Sequence, residues 1–180
     1  MKNPEIYKEL KNEIDTATAT GKLSNPVKYA EAAELPLMCA VVKEALRIHP
    51  AIQLSLPRLV PKGGLQVCGA FIPAGYKVGM NALLVHLDRG VFGPDAEEFN
   101  PSRWLQPNTA DMDRALLSFG AGSRTCTGKN ISIAEMYKLV PGMLRRYKME
   151  LCEPEKDWVI VNYGFAKQKG VVVRLTRLEY

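Results

Sequence analysis

The segment Phe119–Gly128 constrains this chain more than any other part of its sequence. It has the pattern F-x-x-G-x-R-x-C-x-G and leads directly into a helical pattern, so it places Cys126 on a glycine-built turn at a helix N-terminus. Gly122 permits a positive backbone angle in this turn, and Gly128 leaves room for a bulky group to approach the backbone. Backbone N–H groups at the start of the helix favour the anionic form of a nearby sulfur. The segment therefore predicts a cysteine thiolate.

Other interpretations of the same segment remain open. An isolated free cysteine is most often a buried structural residue, and Cys126 could have that role. Gly120 and Gly122 before a helix could also belong to a phosphate-binding loop of a nucleotide-binding module. In that pattern the third glycine is replaced by Thr125, and no Lys-Ser or Lys-Thr pair follows at the required spacing, which disfavours the phosphate-binding loop. A thiolate is a strong ligand for haem iron, and the guanidinium of Arg124 suits the two carboxylates of a haem or a loop salt bridge.

Composition and charge exclude several classes of protein. The chain has 180 residues, enough for one ordinary domain, and its 47% hydrophobic content is typical of globular proteins. Its four cysteines are scattered without a C-x-x-C pair, which argues against a disulfide scaffold and against a zinc site. No stretch approaches the roughly 20 apolar residues of a membrane span, and residues 1–5 lack the pattern of a signal peptide. The net charge of +5 suits an acidic partner or an anionic surface, and equally a solvated face.

Helical periodicity in the first third of the chain predicts two helices. The first begins at Pro4 with Asn3 as its cap, and it ends at Thr20. The second begins at Pro36 and ends at His49, because the residue before a proline avoids helical geometry. The predicted apolar stripe of this second helix consists of Leu37, Val41, Ala45 and Ile48.

The rest of the chain combines short strands with one long helix. Residues 54–80 contain strand patterns punctuated by glycines and proline. A long helix is predicted from about Thr127, with Pro141 expected to kink or weaken it. Residues 158–162 and 171–175 are predicted to pair as a terminal hairpin. Together these elements indicate a mainly α fold with small β-sheets, an α+β protein.

Three further segments accompany the cysteine loop. They are the E-x-x-R pair of Glu44 and Arg47, the Pro57-Arg58 dipeptide, and the sequence F-N-P-S-R-W at residues 99–104. In this order, the four segments resemble the cytochromes P-450, the haem-thiolate monooxygenases, and the surrounding sequence is most similar to fungal pisatin demethylase-like members. The resemblance covers residues 1–180 as the C-terminal haem-binding portion of a single large domain. It implies an incomplete cytochrome P-450 fold whose upstream half is absent.

The resemblance also implies a role for each matching residue. Cys126 corresponds to the axial ligand of the haem iron. Glu44, Arg47 and Arg103 correspond to a buried charge network with a structural role, although Ser102 stands where the family often has a glutamate. The residues implied to bind haem b (iron protoporphyrin IX) are Arg58, Phe119, Gly122, Arg124, Cys126 and Gly128, with the two arginines on the propionates.

The implied activity is insertion of one atom of O2 into a small organic substrate, with electrons from an NADPH-dependent cytochrome P-450 reductase. The family's location is the cytosolic face of the endoplasmic reticulum membrane, but we expect neither a membrane anchor nor a nucleic-acid partner for this chain. The family's oxygen-activating acid/threonine pair lies upstream of these residues, so we expect no catalytic residue here. Two segments, 51–56 and 163–165, could face a substrate. The alternative is a truncated, catalytically incompetent haem-binding remnant of such an enzyme.

Overall fold

The computed structural model describes residues 1–179, and it has the mainly helical α+β architecture that the sequence predicts. None of the helices in this range is long and apolar enough to cross a membrane. Short 3-10 turns occupy Pro101–Leu105 and Gly122–Arg124. Within residues 1–179 the α-helices are α1 (Pro4–Ala19), α2 (Tyr29–Ala32), α3 (Pro36–Ile48), α4 (Ala82–His86), α5 (Arg89–Phe92), α6 (Ala110–Ala115) and α7 (Lys129–Arg146).

The strands form four antiparallel pairs and no larger sheet among the described residues. The strands are β1 (Ser55–Leu59), β2 (Leu65–Val67), β3 (Ala70–Ile72), β4 (Lys77–Asn81), β5 (Tyr147–Leu151), β6 (Val159–Asn162), β7 (Ala166–Lys169) and β8 (Val173–Arg177). β1 pairs with β4, β2 with β3, β5 with β8, and β6 with β7. The predicted hairpin of 158–162 with 171–175 is therefore wrong. β6 turns back at Gly164, which has φ +105°, and pairs with the next strand, whereas β8 returns to the strand that follows α7.

Helix starts follow the prolines, but the capping groups differ from the prediction. α1 begins at Pro4 as expected, whereas Asn3 makes no side-chain capping bond. α3 begins at Pro36, and its first N–H groups are satisfied by a carboxylate from α1. Glu13 accepts from the N–H of Leu37 at 2.9 Å and from the N–H of Met38 at 2.8 Å. The start of α3 is thus fixed by a residue 24 positions upstream.

Two apolar clusters form the core. The larger joins α1, the α1–α3 connection, α3 and α7, with Ile14, Met38 and Leu144 among its buried members. The smaller packs around Phe92 and Trp104. On α3 the predicted stripe is only half-buried or exposed. The fully buried positions of α3 are instead Met38, Ala40, Val42, Glu44 and Arg47.

The helix α7 carries the chain away from the cysteine loop. It runs unbroken from Lys129 to Arg146, through Pro141, which is buried. The sequence predicts a kink or weakening at this proline, but the helix does not end there. Large apolar side chains remain exposed on α7, among them Ile131 and Leu139. The helix α7 therefore packs against the core on one face and leaves its other side open.

Candidate functional site

The glycine loop has the backbone geometry that its sequence predicts. Gly120 has φ +71° and Gly122 has φ +67°, a region that side chains rarely adopt. These two angles fold the chain back so that the Cys126 N–H donates to the Phe119 carbonyl at 2.8 Å. The Thr125 hydroxyl donates to the Gly122 carbonyl at 2.8 Å and closes the same turn. Cys126 consequently lies exposed at the surface of a tight, internally bonded loop.

The start of α7 lies immediately after this cysteine. Gly128 is the N-cap, and the Lys129 N–H donates to the Cys126 carbonyl at 3.3 Å. The positive end of the helix dipole near a sulfur favours its thiolate form. A Cβ atom at Gly128 would lie 3.7 Å from the Cys126 Sγ, which is an ordinary van der Waals contact. Position 128 is therefore a direct neighbour of the sulfur.

One cavity brings together most of the residues implied to bind a cofactor. It has a volume of about 740 Å³ and is lined by Arg58, Phe119, Arg124 and Cys126. Gly122 belongs to the same loop, and Gly128 adjoins the sulfur, but neither is among the lining residues. This volume lies in the range of about 300–1,000 Å³ that is typical of ligand and cofactor pockets. Segments far apart in the sequence thus converge on one space beside Cys126.

The two arginines of this cavity are available cations. Arg58, on β1, donates only to the carbonyls of its neighbours Leu56 and Pro57. Among residues 1–179, neither Arg58 nor Arg124 has an ion-pair partner, so the loop salt bridge considered for Arg124 is not formed there. Guanidinium groups without carboxylate partners at the edge of a cavity suit an anionic ligand group.

The segments predicted to face a substrate also meet at this cavity. Ala51 and Ile52 line it from one side, and Phe165 lines it from the turn between β6 and β7. The Ala166 N–H donates to the Ala51 carbonyl at 2.8 Å, which ties the two segments together. Ser132, on the first turns of α7, also lines the cavity and was not identified from the sequence. No local pattern in the sequence indicated it.

A fully buried carboxylate lies behind the loop. Glu44 accepts from Arg47 at 2.8 and 2.9 Å, and from Arg103 at 3.1 Å. It also accepts from the Asn100 N–H and from the Trp104 indole, each at 2.8 Å. Burial by itself would raise the pKa of Glu44, but the hydrogen bonds from Arg47, Asn100 and Trp104 outweigh it and hold that pKa below its ordinary value. The group therefore stays ionised inside the protein.

Arg47 uses all of its donors in this environment. A guanidinium has five N–H groups. Three of those on Arg47 donate to the carbonyls of His86 at 2.7 Å, Ala96 at 2.5 Å and Glu98 at 2.9 Å, and two donate to Glu44. Its side chain is 0% exposed. The E-x-x-R pair is thus a buried ion pair that also holds the segment after α5.

Arg103 is saturated in the same way. One N–H donates to Glu44, and the others donate to the carbonyls of Phe92 and Asp95 and to both oxygens of the Asp95 carboxylate. Asp95 was not identified from the sequence. Because Ser102 stands where the family often has a glutamate, the sequence suggested fewer acidic partners for the arginines of the network. Hydrogen bonds from Asn100 first, and from Arg103 next, lower the pKa of Asp95. Asp95 provides this acidic support, and its position in a Gly-Pro-Asp loop gave no local pattern that could reveal it.

His86 connects this charge cluster to the cysteine loop. Its Nδ1 lies 2.8 Å from the Arg47 carbonyl, and its Nε2 accepts from the Leu117 N–H at 2.8 Å. The ring is 0% exposed, and burial lowers its pKa to about 4. Ser118 adds a second link, since its hydroxyl donates to the Leu46 carbonyl at 2.7 Å. The segment entering the glycine loop is therefore fastened to α3 at two successive residues.

Comparison with known protein families agrees with this geometry. The model of the cytochrome P450 family matches residues 1–172 of the chain. A cytochrome P450 monooxygenase of Penicillium aethiopicum, gsfF, is 48% identical over 177 residues, which are 98% of this chain and 35% of the relative. ACRTS1, a cytochrome P450 monooxygenase of Alternaria alternata, is 43% identical over 179 residues, which are 98% of this chain and 48% of the relative.

A pisatin demethylase is also among the similar proteins. The enzyme from Fusarium vanettenii is 38% identical over 165 residues, which are 92% of this chain and 31% of the relative. The chain therefore spans about a third to a half of the length of the curated relatives that it matches.

Proposed function

The chain belongs to the cytochrome P450 family, and from this premise we propose that it is the haem-binding portion of a monooxygenase, with Cys126 as the thiolate ligand of the haem iron. The observation that carries the proposal is the convergence of Cys126, Arg58 and Arg124 on one cavity of about 740 Å³, with neither arginine in an ion pair among residues 1–179. A haem needs a proximal ligand, cationic partners for two propionates and space for its ring. Cys126 fits the first need, Arg58 and Arg124 fit the second, and the cavity that they line fits the third.

Each lining residue has a role that follows from its position. The glycine loop presents Cys126 to the cavity. Arg58 and Arg124 supply fork-shaped donors that match the propionates. Phe119, half-buried at the start of the loop, excludes water from the sulfur side. Exclusion of water strengthens every electrostatic interaction in the site.

When bound, the haem supplies oxygen activation, and a thiolate ligand favours cleavage of the O–O bond. The residues of this chain would bind and orient the cofactor and shape the space beside it. Ile52, Leu56 and Phe165 give this space an apolar wall, which suits a small organic substrate. We propose that the whole protein inserts one atom of O2 into such a substrate, with electrons from an NADPH-dependent reductase at the endoplasmic reticulum membrane.

A second candidate is haem binding without monooxygenase activity. Both candidates require Cys126 as the ligand, and they differ only in turnover. If the chain binds haem but does not consume NADPH in the presence of the reductase, the second candidate is supported.

The test is reconstitution of the chain with haem, followed by reduction and addition of CO. We expect a strongly red-shifted Soret band, the mark of a thiolate-ligated ferrous–CO complex, and its loss in Cys126→Ser. Cys68→Ser is the matched control, because Cys68 is also an exposed free cysteine but lies on the turn between β2 and β3. A red-shifted band that survives Cys126→Ser would refute the ligand assignment.

A further inference from the structure

A basic pocket lies at the opposite end of α7 from the cysteine loop. It has a volume of about 650 Å³, and its lining includes Arg145, Arg146 and Arg177. Among residues 1–179, the remaining lining residues are Thr18, Leu23, Asn25, Tyr147 and Leu178, and none of these carries a carboxylate. The proposed monooxygenase site does not use this pocket.

The fold brings the three arginines together from two distant segments. Arg145 and Arg146 end α7, and β5 begins at the next residue. In the β5–β8 pair, Tyr147 lies opposite Arg177. The Leu178 N–H then donates to the Arg146 carbonyl at 2.8 Å, which fixes the end of β8 beside the end of α7.

Arg145 is buried, with 6% of its surface exposed, and its hydrogen-bond partners among residues 1–179 are neutral. Its guanidinium donates to the Ser24 carbonyl and to the Asn25 side-chain oxygen, both at 3.0 Å. Arg146 donates to the same Asn25 oxygen at 2.8 Å. Across residues 1–179, none of Arg145, Arg146 and Arg177 has an ion-pair partner.

The partners of Arg145 differ from those of the other buried arginines of the molecule. Arg47 and Arg103 each contact a carboxylate, as buried cations ordinarily do. The negative end of the α7 dipole offsets part of the repulsion at Arg145 and Arg146. Arg177 lies on a strand and receives no such contribution from its own element. A multiply charged anion would neutralise all three groups.

We propose that this pocket binds a phosphate-bearing anion. The forked donors of Arg146 and Arg177, both exposed, match phosphate oxygens in the bidentate geometry that arginine favours. The buried Arg145 holds Asn25 in place and adds a fixed positive charge at the base of the pocket. The inference does not depend on the proposed monooxygenase activity, because it uses none of the residues of the haem cavity.

The test is titration of the whole 180-residue chain with inorganic pyrophosphate at constant ionic strength. Binding is followed by calorimetry and by the side-chain Nε–H resonances of arginine. We expect saturable binding that the double variant Arg146→Ala/Arg177→Ala weakens by about tenfold or more, which corresponds to about 1.4 kcal/mol. Arg174→Ala is the matched control, since Arg174 is exposed on the same strand but does not line the pocket. Equal weakening in Arg174→Ala, or unchanged binding in the double variant, overturns the proposal.

Further binding experiments identify the source of the phosphate group. Cosedimentation with vesicles that contain phosphatidic acid, lost in the double variant, assigns the pocket to a lipid headgroup. Pyrophosphate binding without such cosedimentation assigns it to a soluble phosphate compound, and either result supports the proposal. Tighter binding of a glutamate-rich peptide than of pyrophosphate overturns it in favour of an acidic protein surface.

Discussion

The charge cluster around Glu44 and the loop around Cys126 are neighbours, but they differ in burial and in how far their polar groups are paired. Glu44 and Arg47 are 0% exposed, and every N–H of Arg47 has an acceptor. Cys126 is exposed, and Arg124 beside it has no ion-pair partner among residues 1–179. One region has satisfied its polar groups internally, whereas the other keeps them available. The difference indicates that the cluster stabilises the fold and that the loop is kept for binding.

Two side chains join the regions. His86 links the Arg47 carbonyl to the Leu117 N–H, and Ser118 donates to the Leu46 carbonyl. The loop can therefore remain open at Cys126 because its entry is anchored to a rigid helix. Rigid support of an exposed functional group is the usual requirement for a precise site.

Removing the central carboxylate should have the largest effect on stability. Glu44→Gln leaves Arg47 buried without its anion and leaves Arg103 with Asp95 as its remaining carboxylate, and we expect it to lower the free energy of unfolding by about 3–5 kcal/mol. Denaturant unfolding followed by circular dichroism measures this loss. The control is Glu97→Gln, which removes an exposed pair with Arg89 and should cost less than about 1 kcal/mol. Similar losses in the two variants would contradict the distinction between the cluster and the surface.

Acidification should release the connection between the regions. The pKa of His86 is lowered from 6.5 to about 4 by burial, so below pH 6.5 the unfolded chain binds a proton that the folded chain excludes. The contribution of His86 to the free energy of unfolding is fully present above pH 6.5. It is lost as the pH falls towards 4, and the total loss is about 3 kcal/mol. A plot of the free energy of unfolding against pH across this range should slope in the unmodified protein and be flatter in His86→Gln. His49→Gln, at the other histidine of the sequence, should leave the slope in place.

Changing the shape of one cation should have an intermediate effect. Arg103→Lys keeps the charge beside Glu44 but replaces five N–H donors by three, so contacts with Asp95 and the Phe92 carbonyl are lost. We expect a loss of about 1–3 kcal/mol in the free energy of unfolding. The same exchange at the exposed Arg114, which pairs with Asp111, should be nearly neutral. An Arg103→Lys variant as stable as the unmodified chain would show that the fork geometry is unimportant.

The loop itself should contribute least to stability. Cys126→Ser changes an exposed side chain, and we expect the free energy of unfolding of the haem-free chain to change by no more than about 0.5 kcal/mol. Cys39→Ser is the informative comparison, because Cys39 is half-buried and its thiol contacts the carbonyls of Ala32 and Ala33. A larger loss at Cys126 than at Cys39 would place Cys126 in the structural framework.

Local patterns in the sequence predicted some elements well. The prolines at positions 4 and 36 mark true helix starts, and the glycines of the cysteine loop have the positive φ values that the turn requires. These features depend on a few adjacent residues, so the sequence contains them directly. The fold class follows from the same local patterns.

Features that depend on distant partners were not predictable in this way. Periodicity alone placed Leu37 and Ile48 on the buried face of α3, whereas the structure buries Glu44 and Arg47. The partners of this pair include Glu98 and Asn100, more than 50 positions downstream. The pairing of β5 with β8 depends on where α7 ends in space. The role of Asp95 likewise depends on the position of Arg103. Each of these is decided by tertiary contacts that no short segment encodes.

The central claim is that the Cys126 sulfur, supported by the rigid cluster behind it, coordinates the haem iron. Electron paramagnetic resonance of the ferric, haem-loaded chain tests this claim most directly. We predict the low-spin signal of a thiolate-ligated haem, and its disappearance in Cys126→Ser but not in Cys152→Ser. A spectrum of imidazole or water coordination, with no sulfur ligand, would contradict the account.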